Sequence, residues 1–307
     1  MQKNFGWILS LILRPSHEKI SMNQINTKAI EQSTKEKVKG IAQKQNRTFN
    51  DVWQEVVLER WLARLAISPY KKNFIFKGAM CLLRYIELQR ETRDLDFLIK
   101  DLTVSMLDVK KYLTEVSVLI LNDGFIFENL DVGPLSHAHM KYPGYQVSVT
   151  GKLGNTKTKV FIDIGVGDAV KPTEITMKLL GTGKAPLFEK EIHLWAYPVE
   201  SIFAEKLETA IARADQNSRM KDYHDLLLLV RSNVMDKKAV KSAIKATFEN
   251  RGTELKKLSI PKDQINNIQN YWSIYLKATD AEVQIELPAD IQIAMDEINK
   301  YLEAEIL

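Results

Sequence analysis

Apolar side chains recur at steps of three and four along some stretches and at steps of two along others, so the chain mixes helices with strands. Across residues 34–66, Trp53, Val56, Val57, Trp61, Leu62 and Leu65 fall mostly on one face and predict an amphipathic helix. Thr48 and Asn50 offer side-chain oxygens to cap its start, and Pro69 ends it. Residues 73–76 then read as a short strand, Gly78 as its break and 80–86 as the next helix. Residues 94–100 alternate as a strand, with Asp94, Asp96 and Leu98 on one face and Leu95, Phe97 and Ile99 on the other. A helical pattern follows over 104–121. Residues 145–149 and 159–166 are rich in β-branched side chains and read as an antiparallel hairpin, with Gly151 and Gly154-Asn155 supplying the turn.

The pattern changes after Pro198. Stretches 201–214, 223–231, 237–248, 263–277 and 288–302 all carry helical spacing, with Pro261 and Pro288 near element starts. The class is therefore α+β, a mixed-sheet part followed by a helical one. The expected divisions are 1–48 as an extension and helix, 49–198 as the core and 199–307 as a helical domain completing a cleft.

Composition narrows the class further. With 307 residues, 45% of them hydrophobic, this is a foldable chain of roughly two domains. Its 43 Lys and Arg against 39 Asp and Glu leave a net charge of +4, which permits contact with nucleic acid but falls short of a DNA-coating protein. Cys81 is the sole cysteine, which excludes an intrachain disulfide and a cysteine-based zinc site and suits a cytoplasmic protein. The apolar run from Phe5 to Leu13 is far shorter than the roughly 20 residues a membrane span needs. Arg14-Pro15-Ser16-His17-Glu18 behind it lacks a small-x-small cleavage site, so neither membrane insertion nor export is expected. Met22 precedes an ordinary polar start, which would make residues 1–21 a dispensable extension. No internal repeat is present, and a monomer is expected.

Asp94 and Asp96 project from the same strand face and repel unless a cation lies between them. A bare Asp-x-Asp also occurs on solvated strand edges, but Asp163 lies in the apolar stretch Val160-Phe161-Ile162-Asp163-Ile164-Gly165, where an isolated carboxylate is costly. If the two strands are neighbours, three carboxylates converge. Such a set can hold two Mg2+ ions for an in-line phosphoryl transfer. Lys77-Gly78-Ala79 suits either an ordinary strand-to-helix turn or backbone N–H groups approaching a triphosphate. Lys206 falls within or beside the apolar stripe of its helix and either snorkels outward or reaches across a cleft to nucleotide phosphates. Asp222 and Asp225 stand one helical turn apart. They serve either the helix macrodipole or, with Arg219 and Lys221 adding positive charge, the cleft. Lys237, Lys238, Lys241 and Lys245, followed by Arg251, Lys256, Lys257 and Lys262, form a cationic run that is either solvated or follows an RNA backbone.

Several segments, in this order, resemble the AbiEii/AbiGii-type nucleotidyltransferase toxins of abortive-infection and toxin–antitoxin systems. They are Glu59-Arg60-Trp61-Leu62-Ala63-Arg64-Leu65, Phe76-Lys77-Gly78-Ala79, Arg93-Asp94-Leu95-Asp96-Phe97, the Asp163 strand, Glu205-Lys206-Leu207-Glu208 and Arg219-Met220-Lys221-Asp222-Tyr223-His224-Asp225-Leu226. The resemblance implies a polymerase-β-like core, with Asp94 and Asp96 as the metal pair and Asp163 as the third carboxylate. It also implies that Gly78 opens the phosphate-facing turn, that Lys206 contacts the nucleotide and that Asp222 is a catalytic-site carboxylate. Such members commonly have Gly-Gly or Gly-Ser where this chain has Gly78-Ala79, so only backbone donors remain at that turn. The implied activity is Mg2+-dependent transfer of a nucleotide from an NTP to an acceptor hydroxyl, with tRNA as the acceptor and an adjacently encoded antitoxin as partner. A protein acceptor, a catalytically silent nucleotide sensor or partner-binding protein, and an Asp-x-Asp glycosyltransferase are the alternatives.

Overall fold

The computed structural model describes residues 17–88, 90–135, 144–183, 185–214, 217–261, 263–279 and 281–305. The Phe5–Leu13 run and Lys262 lie outside them. Its strands are β1 (Phe74–Lys77), β2 (Asp94–Ile99), β3 (Phe125–Leu135), β4 (Gly144–Leu153), β5 (Thr156–Val166), β6 (Thr173–Lys178) and β7 (Glu191–Ala196). They form one mixed sheet of order β3-β4-β5-β2-β1-β7-β6. The β2/β5 and β1/β7 pairs are parallel, and the other neighbours are antiparallel. The helices are α1 (His17–Lys44), α2 (Phe49–Ile67), α3 (Gly78–Leu82), α4 (Met106–Ser117), α5 (Val199–Arg213), α6 (Met220–Ser232), α7 (Lys237–Arg251), α8 (Ile265–Lys277), α9 (Ala281–Glu286) and α10 (Ile291–Glu305). The class is α+β, a mixed sheet followed by helices. Among the described residues no helix is long and apolar enough to cross a membrane.

The alternation of β2 decides which way the chemistry faces. Leu95, Phe97 and Ile99 are buried, and the Phe97 ring lies 5.7 Å from that of Trp61 on α2. That leaves Asp94 and Asp96 on the opposite face. Burying a side chain as large as Trp61, which is fully enclosed, is worth roughly 1.5–3 kcal/mol or more. The apolar stripe of α2 thus anchors the sheet from behind and keeps the acidic face open.

Several boundaries differ from the sequence expectation for local reasons. The pattern over 34–66 splits into α1 and α2, because Asn46 takes a left-handed φ of 52° between them. Thr48 alone caps α2, accepting from Asp51 N at 3.1 Å, and Asn50 lies inside the first turn. α3 ends at Leu82 instead of running over 80–86. Arg84 N donates to Cys81 O and Tyr85 N to Leu82 O, which tightens the chain into turns. Gly151 belongs to β4 and not to the hairpin turn. A Cβ there would strike Val57 of α2, so glycine permits the close approach. The turn is Gly154-Asn155 alone, with Gly154 at φ 57°. β3, β6 and β7 had no predicted counterpart.

The helices after Pro198 pack on one another and on the core. α5 lies against α6 and α7, α6 against α8 and α10, and α3 touches α5. α5 buries Ile202, Phe203, Leu207 and Ala210 on its inward face. This stack brings α5 and α6 opposite the acidic face of β2 and β5.

Candidate active site

β1 delivers the chain to Gly78, which sits at φ 71°, a conformation other residues adopt only with strain. A Cβ at this position would also overlap the Asp96 carboxylate. Gly78 is therefore required twice, for the turn and for the seat of Asp96. In the sheet Asp96 stands opposite Lys77 on β1 and opposite Asp163 on β5. Because β2 and β5 are parallel and in register, Asp94, Asp96 and Asp163 share the same sheet face. The two strands are neighbours, as that expectation required, and place the three carboxylates on one face.

This grouping of like charges carries an electrostatic signature. Burial, then the neighbouring Asp163 and Asp94, push the Asp96 carboxyl up to about 6, against the pull of Lys77 and Lys206. Asp94 is also pushed up, by burial and by Asp163. Gln146 Nε2 donates to Asp163 Oδ1 at 3.2 Å. The candidate metal ligands here are all carboxylate oxygens, which suits a hard divalent cation. Among the described residues no group of three or more His, Cys, Asp or Glu is gathered closely enough to hold a metal by itself. A cation at these residues would fill the rest of its shell with water and substrate phosphate oxygens, as Mg2+ habitually does.

Across from the acids stand α5 and α6. The Lys206 ammonium turns inward, 2.8 Å from Asp222 Oδ1 and 2.8 Å from Asp225 Oδ2. Those two carboxylates hold it well above its ordinary range despite burial. Arg219 Nε donates to Asp222 Oδ2 at 2.6 Å, and Arg90 donates to both oxygens of Asp225 at 2.9 and 2.7 Å. Burial opposes it, yet Lys206 and Arg219 bring the Asp222 carboxyl down to about 2. A further network closes the inner end. Lys77 Nζ lies 3.0 Å from Asp168 and 2.8 Å from Glu205, and Arg251 bridges Asp168, Glu205 and Glu208. Tyr197 Oη donates to Asp168 at 3.2 Å.

Between these walls opens a cavity of about 700 Å3. Lys77, Gly78, Ala79, Asp94, Asp96, Asp163, Lys206, Arg219, Lys221 and Asp222 all line it. Lys237, Lys241 and Lys245 do not, lying instead on the exposed side of α7 away from its buried Val240, Ile244 and Phe248. Arg251 departs from the solvated row expected of it and is turned into the ion network. Arg90, Asp168 and Tyr197 were not singled out from the sequence, since their partners stand far along the chain and no local pattern marks them. The segment from Glu59 to Leu65 lies behind the sheet. Arg64 donates to Asp123 at 2.9 Å, and Glu59 accepts from Leu180 N at 3.0 Å.

Residues 60–298 match the family described as nucleotidyl transferase AbiEii toxin, type IV TA system. The chain belongs to this AbiEii family. Membership makes it a nucleotidyltransferase toxin of a type IV toxin–antitoxin system, with a nucleoside triphosphate as substrate class and an antitoxin as implied partner. No match was found among curated proteins. Among solved structures the AbiEii chain is similar to a crystal structure of a candidate nucleotidyltransferase from H. pylori. That similarity has a TM-score of 0.51 at 14% identity and covers 84% of this chain and 95% of the other. It is also similar to JHP933 from Helicobacter pylori, with a TM-score of 0.48 at 14% identity, covering 84% and 92%.

Proposed function

We propose that the cavity binds an NTP and transfers its nucleotide to the hydroxyl of an RNA acceptor, with tRNA the foremost candidate. The observation that carries this reading is the in-register Asp96–Asp163 pair, with Asp94 on the same face, lining a cavity that Lys206, Arg219 and Lys221 also line. Asp94, Asp96 and Asp163 would hold Mg2+. When bound, Mg2+ would neutralise charge developing on the phosphoryl oxygens and favour ionisation of the attacking hydroxyl.

The remaining roles belong to the chain's own groups. An ammonium has three donors. Lys206 gives two of them to Asp222 and Asp225 and keeps one for a phosphate oxygen. Asp222, held near 2 by its cations, is a poor proton acceptor at neutral pH. Its role is to hold Lys206 and Arg219 in place. Gly78 and Ala79 bring backbone N–H groups to the triphosphate, and Lys77 supports them from the Asp168–Glu205 network. Arg219 and Lys221 at the cavity, and more weakly Lys237, Lys241 and Lys245 outside it, would attract the phosphates of the RNA. The helices after Pro198 act as a second domain closing the cleft, and the reaction belongs in the cytoplasm, where NTP and tRNA are found.

The test is incubation with α-labelled NTPs, Mg2+ and total tRNA, comparing wild type with Asp96→Ala. Label on RNA from wild type only is expected. Equal labelling by both would remove the assignment, and label on protein alone would change the acceptor class. Ala79, which offers no side-chain hydroxyl to phosphate, favours a nucleotide sensor as the competing reading. Tight NTP binding without pyrophosphate release would decide for it.

A further inference from the structure

One wall of the cleft carries neither the acids nor the phosphate-facing groups. Tyr271, Ile274 and Tyr275 of α8 line the cavity. Tyr271 is 45% exposed and Ile274 57%, whereas Ile268 and Trp272 on the same helix are fully buried. Tyr275 is fixed in place by its hydroxyl, 2.6 Å from His224 Nδ1. An aromatic and an aliphatic side chain thus face an aqueous cleft on a rigid element, with nothing among the described residues packed over them.

Beside them stand cations with charge to spare. Arg90 is committed to Asp225. Arg93 reaches Asp51 at 3.0 Å but remains 70% exposed. Burial and the nearby Arg90 pull the Lys221 ammonium below its ordinary range, and among the described residues it makes no ion pair. A stacking platform flanked by available cations is how proteins hold unpaired nucleotides.

We propose that Tyr271 and Ile274 seat a base of the single-stranded end of the RNA acceptor, with an adjoining phosphate on Lys221 and Arg93. The proposal rests on the RNA-transfer reading and deepens it by naming the residues that position the acceptor and by requiring an unpaired end. A base within a duplex has both faces covered by its neighbours and cannot stack on a tyrosine. The NTP is the weaker candidate for this wall. Small substrates are largely enclosed by their sites, and its phosphates belong at the inner Gly78–Lys206 end. An open wall with outward cations suits a polymer that continues into solvent.

The experiment measures the affinity of the full chain for a fluorescein-labelled single-stranded RNA of about a dozen nucleotides and, separately, for each common ribonucleoside triphosphate. Wild type, Tyr271→Ala, Tyr271→Phe and Lys221→Gln are compared after matched melting temperatures establish that they fold. Tyr271→Ala should weaken RNA binding about tenfold and Tyr271→Phe should restore it, because stacking needs the ring and not the hydroxyl. Lys221→Gln should lower the slope of log affinity against log salt by about 0.7, the loss of one phosphate contact on a single strand. RNA binding unchanged in Tyr271→Ala would overturn this inference while leaving transfer to RNA intact. Weakened NTP affinity with unchanged RNA affinity would overturn it in favour of the incoming base. Failure of the wild-type protein to bind any RNA would overturn the RNA reading and the inference with it.

Discussion

Two clusters of charge flank β2, built on opposite rules. On the α2 side Arg64 meets both oxygens of Asp123, at 2.9 and 3.0 Å, and the carbonyl of Phe125 at 2.8 Å. Arg60 pairs with Glu189 and lies 4.5 Å over the ring of Phe188. Each guanidinium meets a carboxylate, and none of these residues lines the large cavity. On the other side Asp94, Asp96 and Asp163 share one sheet face and line that cavity, and burial, then the neighbouring Asp163, raise the proton affinity of Asp94 and Asp96. Opposite charges paired out of water tie distant segments together, whereas like charges gathered beside a cavity are arranged for a ligand. Both clusters lie within residues 60–298, the part that matches the AbiEii family, so the match alone does not separate scaffold from site.

Substitution should separate them cleanly. Asp96→Asn should cost about 10³-fold or more in transfer, several kcal/mol of lost charge stabilisation. Its thermal stability should hold or rise, because a repelling charge is gone; a collapse in melting temperature would place Asp96 with the scaffold. Arg64→Ala should do the reverse. Leaving the buried Asp123 with only the Phe125 N–H and Arg60, 3.8 Å away, should cost about 3 kcal/mol in urea denaturation, with the turnover of the folded fraction unchanged.

A pH series sharpens the contrast within the helical half. His224 is fully buried and hydrogen-bonded to Tyr275, among Asp225, Arg90, Glu286 and Lys206. Burial lowers its pKa from 6.5 to about 4. Over that interval the unfolded chain binds the extra proton, so the stabilising contribution is complete above about 6.5 and is lost as pH falls towards 4. Between about pH 7 and 4.5, wild type should lose on the order of 2 kcal/mol more stability than His224→Gln. Equal losses by urea titration would remove His224 from the account. Gly78→Ala should cost about 1–2 kcal/mol of stability through its positive φ, with a larger relative loss of transfer as Asp96 is displaced. The smallest effect belongs to α7. Replacing Lys237, Lys241 and Lys245 together by Gln should weaken RNA binding only a few fold at moderate salt, since exposed charges are screened.

The strand faces were more legible in the sequence than the long-range ion pairs, for reasons visible in particular residues. The faces of β2 and β5 were legible because strict alternation separates Asp94, Asp96 and Asp163 from Leu95, Phe97, Ile162 and Ile164. The Arg90–Asp225 and Lys77–Glu205–Arg251 pairs were not, since each joins residues made neighbours only by the packing of α5, α6 and α7 on the core. β3 escaped notice because a register shift between Glu128 and Asp131, with Asn129 at φ 56°, breaks its alternation. β6 is an edge strand with only Met177 buried, too little apolar signal to read. Arg251, read in the sequence as part of a cationic run, is instead a half-buried tie among Asp168, Glu205 and Glu208.

The central claim is that carboxylates from two parallel strands act as one catalytic cluster, and Asp163 tests it most sharply, since it comes from a different part of the chain than the Asp94–Asp96 pair. The direct measurement is the rate of pyrophosphate release and label transfer from α-labelled NTP to tRNA by Asp163→Asn beside wild type, at matched folded concentration and saturating Mg2+. The account predicts a loss of about 10²-fold or more with melting temperature preserved. Wild-type transfer by Asp163→Asn would contradict it.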